Sequence, residues 1–409
     1  MISAEDALAA IHAHARVLGA EPIPLGRSVD RVLAADVFAA TALPPFDNSA
    51  MDGFALRAAD LKDATPQAPV ELTVLETVRA GQTGLLCVGP GEAVRIMTGA
   101  PLPRGADSVV MVELTEPGAG GKVRLAGSTR ARSHVRARGE DVREGSLLLE
   151  KGALLRPCDI ALLAAQGITE VPAVRLPRVA VLATGDELID YRDEPAAGRI
   201  RNSNGPALLA ALSRWGLPAE NLGIAPDEPA ALRETLADAL ARADVLVVTG
   251  GVSVGDFDCT KAVFAGLGLR EIFWKVAIKP GKPLYFGALE APDGACKLAF
   301  GLPGNPIAAL VCLEEFVRPA LETLQGHAPK HPSYHLSGTA DNDYPKPADR
   351  LQYLFCRARP SPGGYALDVI RPQGSAMLGM ASRANALALA PAGVDRVRAG
   401  DVLRFRWLK

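Results

Sequence analysis

The spacing of apolar positions changes character several times along this 409-residue chain. Over residues 3–18 apolar side chains recur every three to four positions, which predicts a helix. Ser3 stands at its N-cap position, with Asp6 three residues on. Pro44 and Pro45 then break the chain. From 44 to 139 short β-like runs (ELTVLETV, EAVRIMTG) alternate with Gly and Pro turns. Residues 152–167 predict a short helix opened near Pro157 and closed by Gly167. Beyond 178, continuous apolar runs (PRVAVLATG, DVLVVTGG) alternate with helical periods (NSNGPALLAALSRWG, ALRETLADALARA). That alternation predicts a parallel sheet covered on both faces. After a Pro-rich stretch, the runs LQYLFCRAR, YALDVI and DVLRFRWL predict a small β-barrel or sandwich. The expected organisation has four parts. Residues 1–43 with 140–177 form a mixed helical domain, and 44–139 a β-rich domain inserted into it. Residues 178–327 form a doubly wound α/β domain, and 328–409 a C-terminal β-barrel.

Composition narrows the classes. Charged residues make up 22% and hydrophobic ones 48%, as in a soluble globular protein. A formal net charge of -2 argues against coating nucleic acid by bulk electrostatics. Any cationic site must therefore be built locally. Six cysteines without a C-x-x-C pair read as reduced thiols, hence a cytoplasmic setting, and not as a disulfide or zinc framework. No run of about 18 apolar residues is present, so no membrane span is expected.

Candidate chemistry sits in loops. In an open α/β sheet, ligands bind beyond the carboxyl ends of the strands. Three loops stand there: Thr184-Gly185-Asp186-Glu187, Thr249-Gly250-Gly251-Val252-Ser253-Val254-Gly255-Asp256, and Gly301-Leu302-Pro303-Gly304-Asn305-Pro306. Glycines after a strand let backbone N–H groups approach an anion, or simply make tight turns. Neither the P-loop pattern nor the dinucleotide fingerprint occurs. Asp186, Glu187, Asp227, Asp256 and Asp258 share this end of the sheet. They fit Mg²⁺ coordination beside phosphates, or, for Asp258, helix capping. The stretch FWKVAIKPGKPLYFG places Lys275, Lys279 and Lys282 in an otherwise apolar segment. They are surface lysines of an edge hairpin or they meet an anionic ligand. On one strand Lys275 and Lys279 would share a face roughly 13 Å apart, too far to grip one small oxyanion. Lys279 and Lys282 flank a Pro-Gly turn and can converge.

Seven stretches in order resemble the signatures of one family: PPFDNSAMDGFAL, RIMTGAPLPRGADSVVMVE, RGEDVREG, VLATGDEL, VVTGGVSVGDFD, WKVAIKPGKPL and FGLPGNPIAAL. The family is MoeA, the molybdopterin molybdenumtransferases, which is related to the C-terminal domain of gephyrin. The resemblance runs from about residue 5 to the C-terminus. It implies a four-domain homodimer whose α/β domain is of molybdopterin-binding type. The implied reaction inserts molybdate into adenylylated molybdopterin with hydrolysis of the adenylate, release of AMP and a need for Mg²⁺ or another divalent cation. The enzyme that adenylylates the pterin is an implied partner.

The resemblance also implies roles. Lys279, Lys282, Arg350 and Ser375 would form a molybdate pocket shaped by Pro283, with Lys275 neutralising a phosphate. Thr184, Gly185, Gly250, Gly251, Ser253, Gly255, Pro303, Gly304 and Asn305 would hold substrate phosphates. Asp186, Glu187, Asp227 and Asp258 would serve metal and phosphate chemistry. Asp52, Thr98 and Asp141 match positions needed for activity and would reach the α/β domain of the other subunit. Adenylylation of the pterin with ATP, or a non-catalytic scaffold like that of gephyrin, are the competing readings.

Overall fold

The structure is a computed structural model that describes residues 1–251, 259–290, 296–329 and 332–408. The chain folds into two compact units, residues 23–171 and residues 1–22 with 172–409. Helix α1 (Ala4–His14) belongs to the larger one. Ser3 caps it by accepting the Asp6 N–H at 3.0 Å, and Ala7, Leu8 and Ile11 face the core. The helix is shorter than the predicted 3–18. Ala15 turns extended, and the Leu18 N–H donates to the Leu324 carbonyl instead of to a helical one.

The smaller unit is built on a six-stranded sheet: β1 (Gly53–Leu56), β2 (Val70–Val78), β3 (Glu92–Ile96), β4 (Ser108–Met111), β5 (Thr115–Pro117) and β6 (Lys122–Leu125). Their spatial order is β4-β1-β3-β2-β6-β5. Alternating residues of these strands enter two clusters, Leu56, Leu72 and Ala93 in one and Ala55, Val94 and Val109 in the other. That period of two is what the alternating runs predict. Helix α2 (Pro157–Ala165) starts at Pro157, and Asp159 accepts from the Arg156 backbone N–H at 2.9 Å.

The larger unit holds an α/β sheet of β7 (Val179–Thr184), β8 (Ala219–Ala225), β9 (Val245–Thr249), β10 (Arg270–Trp274), β12 (Tyr285–Glu290) and β13 (Cys296–Leu302). Between the first three strands run α3 (Asn204–Arg214) and α4 (Pro229–Arg242), and α5 (Thr260–Gly266) follows β9. The order is β8-β7-β9-β13-β12-β10. Val179, Val181, Val245 and Val247 point into one core, and Ala180, Leu182, Leu246 and Val248 into another. The sheet is thus buried on both faces, which is why its strands read as unbroken apolar runs. It is not all-parallel as predicted. β12 pairs antiparallel with both β13 and β10, because these segments connect as hairpins and not through covering helices.

After β13 come α6 (Pro306–Cys312), a π-helical turn over Leu313–Val317, and α7 (Arg318–Leu324). The C-terminal region is a closed five-stranded barrel. Its strands are β14 (Leu336–Ala340), β15 (Leu351–Ser361), β16 (Gly364–Val369), β17 (Ala386–Ala390) and β18 (Val402–Trp407). Pairing runs β15-β16-β14-β18-β17 and closes by β17 against β15. Leu354, Cys356, Leu367, Ala388 and Phe405 fill the interior. A two-residue strand, β11 (Ile278–Lys279), leaves the α/β sheet to pair in parallel with β15, with Lys279 opposite Gln352. Among the described residues, none of the six cysteines forms a disulfide. Among the described residues no helix is long and apolar enough to cross a membrane.

Candidate functional site

Strands β7, β9 and β13 lie side by side and end together, with Ala183 opposite Thr249 and Thr249 opposite Leu302. Their three loops therefore share one mouth. Gly250 sits at φ +92°, donates to the Leu302 carbonyl at 3.1 Å, and leaves no room for a side chain. A Cβ there would stand 2.2 Å from the Thr184 carbonyl oxygen. Glycine is thus required by backbone crossing backbone. The Gly304 carbonyl accepts from Asn204 Nδ2 at 2.8 Å, which pins the third loop to the start of α3.

Carboxylates meet at this mouth. Thr184 Oγ1 donates to Asp227 Oδ1 at 2.5 Å, and the Asp227 N–H donates to Asp186 Oδ1 at 3.1 Å. Glu187 folds back over Gly185, whose position a Cβ would share with Glu187 Oε2 at 2.6 Å. Among the described residues, no group of three or more His, Cys, Asp or Glu side chains is placed to hold a metal unaided. The Asp186–Asp227 pair fits Mg²⁺, which takes one or two carboxylates and completes its shell with phosphate and water oxygens. Ser253, Gly255, Asp256 and Asp258 lie outside the described residues. At the same end of the sheet, buried Thr249 Oγ1, Thr260 Oγ1 and Asn204 Oδ1 have no hydrogen-bond partner among the described residues. Thr260 and Asn204 were missed in the sequence reading, although Asn204 stands in the polar start NSN of its helix.

The lysine segment is not one strand. β10 ends at Trp274, and Lys275 takes φ +72°, outside the extended region. Its backbone N–H donates to Leu284 O, and the next N–H, of Val276, donates to Lys282 O. The chain then crosses to the barrel as β11. Lys275 and Lys279 accordingly do not share a strand face. Lys275 Nζ lies 3.6 Å from the centre of the Trp274 ring, as does Lys261 Nζ. Gly281, at φ +111°, lets the turn rest on Cys312, whose Sγ a Cβ would approach to 2.6 Å.

Lys279 and Lys282 do converge. With Pro283 they line a cavity of about 260 Å³, together with Pro303, Asn305, Arg350, Gln352 and Ser375. The N–H of Ile307 donates to the Ser375 carbonyl at 2.9 Å and fixes that wall. No carboxylate lines the cavity among the described residues. Among the described residues, no carboxylate of that lining pairs with Lys279 or Lys282. Arg350 Nε lies 3.1 Å from its neighbour Asp349, yet is not aligned to donate to it. Close by, Lys346 is buried and donates to the carbonyls of Pro347, Pro391 and Val394, each at 2.9 Å. Burial pushes the Lys346 ammonium below the usual lysine range, as does Lys279, while Asp349 opposes both. Cations thus gather on a wall that no carboxylate lines, although Asp349 stands beside Arg350.

In the smaller unit, Asp52 accepts both the backbone N–H and the hydroxyl of Thr98 at 2.7 Å, which hold its carboxyl below the usual range. Asp141 is exposed, its N–H donating to Leu43 O. Asp47 accepts from the Arg132 side chain and the Arg138 backbone N–H, and the Arg138 side chain pairs with Glu144 at 2.9 Å.

A doubly wound sheet with glycine-lined loops, followed by a barrel that completes a basic cavity, defines an α/β protein of several domains. Residues 2–167 match the MoeA N-terminal region (domain I and II), 180–323 a probable molybdopterin binding domain, and 337–405 the MoeA C-terminal region (domain IV). A molybdopterin molybdenumtransferase of Bacillus subtilis is 36% identical over 94% of this chain and 89% of its own. That of Haemophilus influenzae is 38% identical over 81% and 80%. Two solved MoeA structures from Pyrococcus horikoshii superpose with TM-scores of 0.83 and 0.81 at 30% and 28% identity. They cover 100% of this chain and 99% and 100% of theirs. The chain belongs to the MoeA family.

Proposed function

We propose that this chain is a transferase of molybdenum cofactor biosynthesis that inserts molybdate into adenylylated molybdopterin, hydrolysing the adenylate and releasing AMP. The observation that carries the reading is the cavity of Lys279, Lys282 and Arg350, three cations without a lining carboxylate. Molybdate is a small tetrahedral dianion and fits that charge and volume. Ser375 and Pro283 shape the wall. The loop of Pro303, Gly304 and Asn305 serves both places: it lines the cavity and belongs to the mouth where Thr184, Gly185, Gly250 and Gly251 would take the phosphates. Lys275 would neutralise one of them.

Water adds across the bond between the two phosphates, so AMP leaves with one and the pterin keeps the other. Mg²⁺ held by Asp186 and Asp227, with Glu187 and Asp258 as further candidates, would offset phosphate charge. Asp52, Thr98 and Asp141 would act from the partner subunit of a homodimer, and the adenylylating enzyme would deliver the pterin. Purified protein with adenylylated molybdopterin and Mg²⁺ should release AMP only when molybdate is added. Tight binding without release, whatever oxyanion is present, would refute the reading. For the shared site, mixing Asp52→Asn and Lys279→Ala subunits should restore part of the activity that each variant lacks.

A further inference from the structure

Lys346 is a buried ammonium that the assigned roles leave unused. It is 6% exposed, and its three N–H groups go to the carbonyls of Pro347, Pro391 and Val394, each at 2.9 Å. Three acceptors for three hydrogens is the complement of the charged form, since a neutral amine has only two to give. Lysine is seldom buried unless its charge is used. The sequence YPKPADR around it shows the use. Pro345 and Pro347 have no backbone N–H, so the chain there lacks two of its donors. The ammonium stands in for them. It ties residues 346 and 347 to the turn over 391–395, where the Lys346 N–H also donates to Asp395 O and the Gly393 N–H to Ala348 O, both at 2.8 Å. Arg350 follows two residues after Ala348. On its other side the Leu351 N–H donates to Ala277 O at 3.1 Å and β15 begins. The short stretch that carries Arg350 to the cavity is thus held at both ends, and at the first of them by Lys346.

Resting on the reading of the cavity as an oxyanion site, we propose that Lys346 is a positioning residue that sets Arg350 in the cavity wall. Lys346 is not among the lining residues, whereas Arg350 is. A guanidinium grips an oxyanion well only when its planar fork is aimed. The side chain of Arg350 does little to aim itself. Its Nε is buried without a hydrogen-bond partner among the described residues, and Asp349, 3.1 Å away, is not aligned to accept from it. The aim comes from the backbone on which Arg350 is mounted, and Lys346 fixes that backbone where the prolines cannot. Lys279 and Lys282 are mounted separately, on β11 and on the turn that rests on Cys312. Loss of Lys346 therefore weakens what Arg350 contributes and leaves their share in place. A charge acting only through its field would instead add its loss to that of any other cation.

The test is a pair of double-mutant cycles on molybdate affinity, read by equilibrium binding to the full-length protein. One cycle joins Lys346→Met with Arg350→Met, and the other joins Lys346→Met with Lys282→Met. Chemical denaturation checks that each variant is folded. Lys346→Gln, which keeps N–H donors without the charge, takes the place of Lys346→Met should the latter fail to fold. Lys346→Met alone should lose about tenfold in affinity. On top of Arg350→Met it should cost about twofold at most, and on top of Lys282→Met about tenfold again. A second readout needs no ligand: trypsin should cut after Arg350 about fivefold faster in the Lys346 variant, because the segment is released at one end. Losses that simply add in both cycles, unchanged affinity in a folded Lys346 variant, or unchanged cleavage at Arg350 would each overturn the role of Lys346, with the oxyanion reading intact as long as the parent binds molybdate. No saturable binding in the parent would overturn the oxyanion reading and the role of Lys346 with it.

Discussion

Two clusters of positive charge in the larger unit are built in opposite ways. In one, Arg406 Nη2 donates to Glu315 Oε1 at 2.7 Å, the Tyr334 hydroxyl donates to the same oxygen at 2.8 Å, and Arg406 also lies 3.6 Å from Glu314. Burial pushes the Glu315 carboxyl up, against the pull of Arg406. The charges answer one another, and the cluster joins β18 to the π-helical turn. In the other, Lys279, Lys282 and Arg350 face a cavity that no carboxylate lines. Buried charge is tolerated only when compensated. In the first cluster the protein supplies the counter-charge itself; in the second only Asp349, 3.1 Å from Arg350, stands near, and the lining offers none.

The contrast can be broken at either end. Arg406→Ala should have the largest effect, costing about 3 kcal/mol of stability because it leaves Glu315 buried with one hydroxyl partner. Chemical denaturation would read this out, and oxyanion affinity in the folded fraction should be unchanged. Lys279→Ala should do the reverse. Oxyanion binding should weaken by about tenfold to a hundredfold, as expected for losing a charge-assisted hydrogen bond, while the denaturation midpoint stays put. A stability loss in Lys279→Ala as large as in Arg406→Ala would erase the distinction.

Thr184→Val sharpens the picture at the sheet mouth. It removes the 2.5 Å hydroxyl that orients Asp227, and the Mg²⁺ needed for half-maximal AMP release should rise by about tenfold. The smallest effect concerns Asp244. Burial would push its carboxyl up, but the paired N–H groups of Arg175, each at 2.7 Å, and the Arg178 N–H outweigh burial and hold it down. A depressed folded pKa means its contribution is full above the unfolded Asp value and fades as pH falls through the folded one. Arg175→Met should therefore lower stability at neutral pH and flatten its fall on the acid side. An equal loss at all pH values down to 2 would contradict this.

Most of the fold was legible because its strands and helices carry strong periods. The buried runs of β7 and β9 and the caps of α1 and α2 followed from local rules. Where prediction failed, long-range pairing decided. No local signal shows that β12 runs antiparallel to β13, since a strand buried on both faces reads the same in either direction. The lysine segment looked continuous because its apolar residues hide the turn at Lys275 and the crossing to the barrel. For the site, the family resemblance led to Lys279, Lys282, Arg350 and Ser375, and the structure brings these together around one cavity. Gln352 carried no signal. A glutamine in an alternating barrel strand looks like a surface residue, and only its burial opposite Lys279 sets it apart.

The two-residue strand β11 has a consequence for how this chain can be divided. It carries Lys279 out of the α/β sheet and registers it against Gln352 of the barrel, so half of the cavity wall is encoded before residue 327 and half after it. A fragment ending at the sheet would keep the glycine loops and Asp186 but lose Arg350, Gln352 and Ser375. On the proposed function, phosphate handling would be separable by truncation and oxyanion capture would not. The cavity is the property of a seam, and neither module could carry it alone into a new protein.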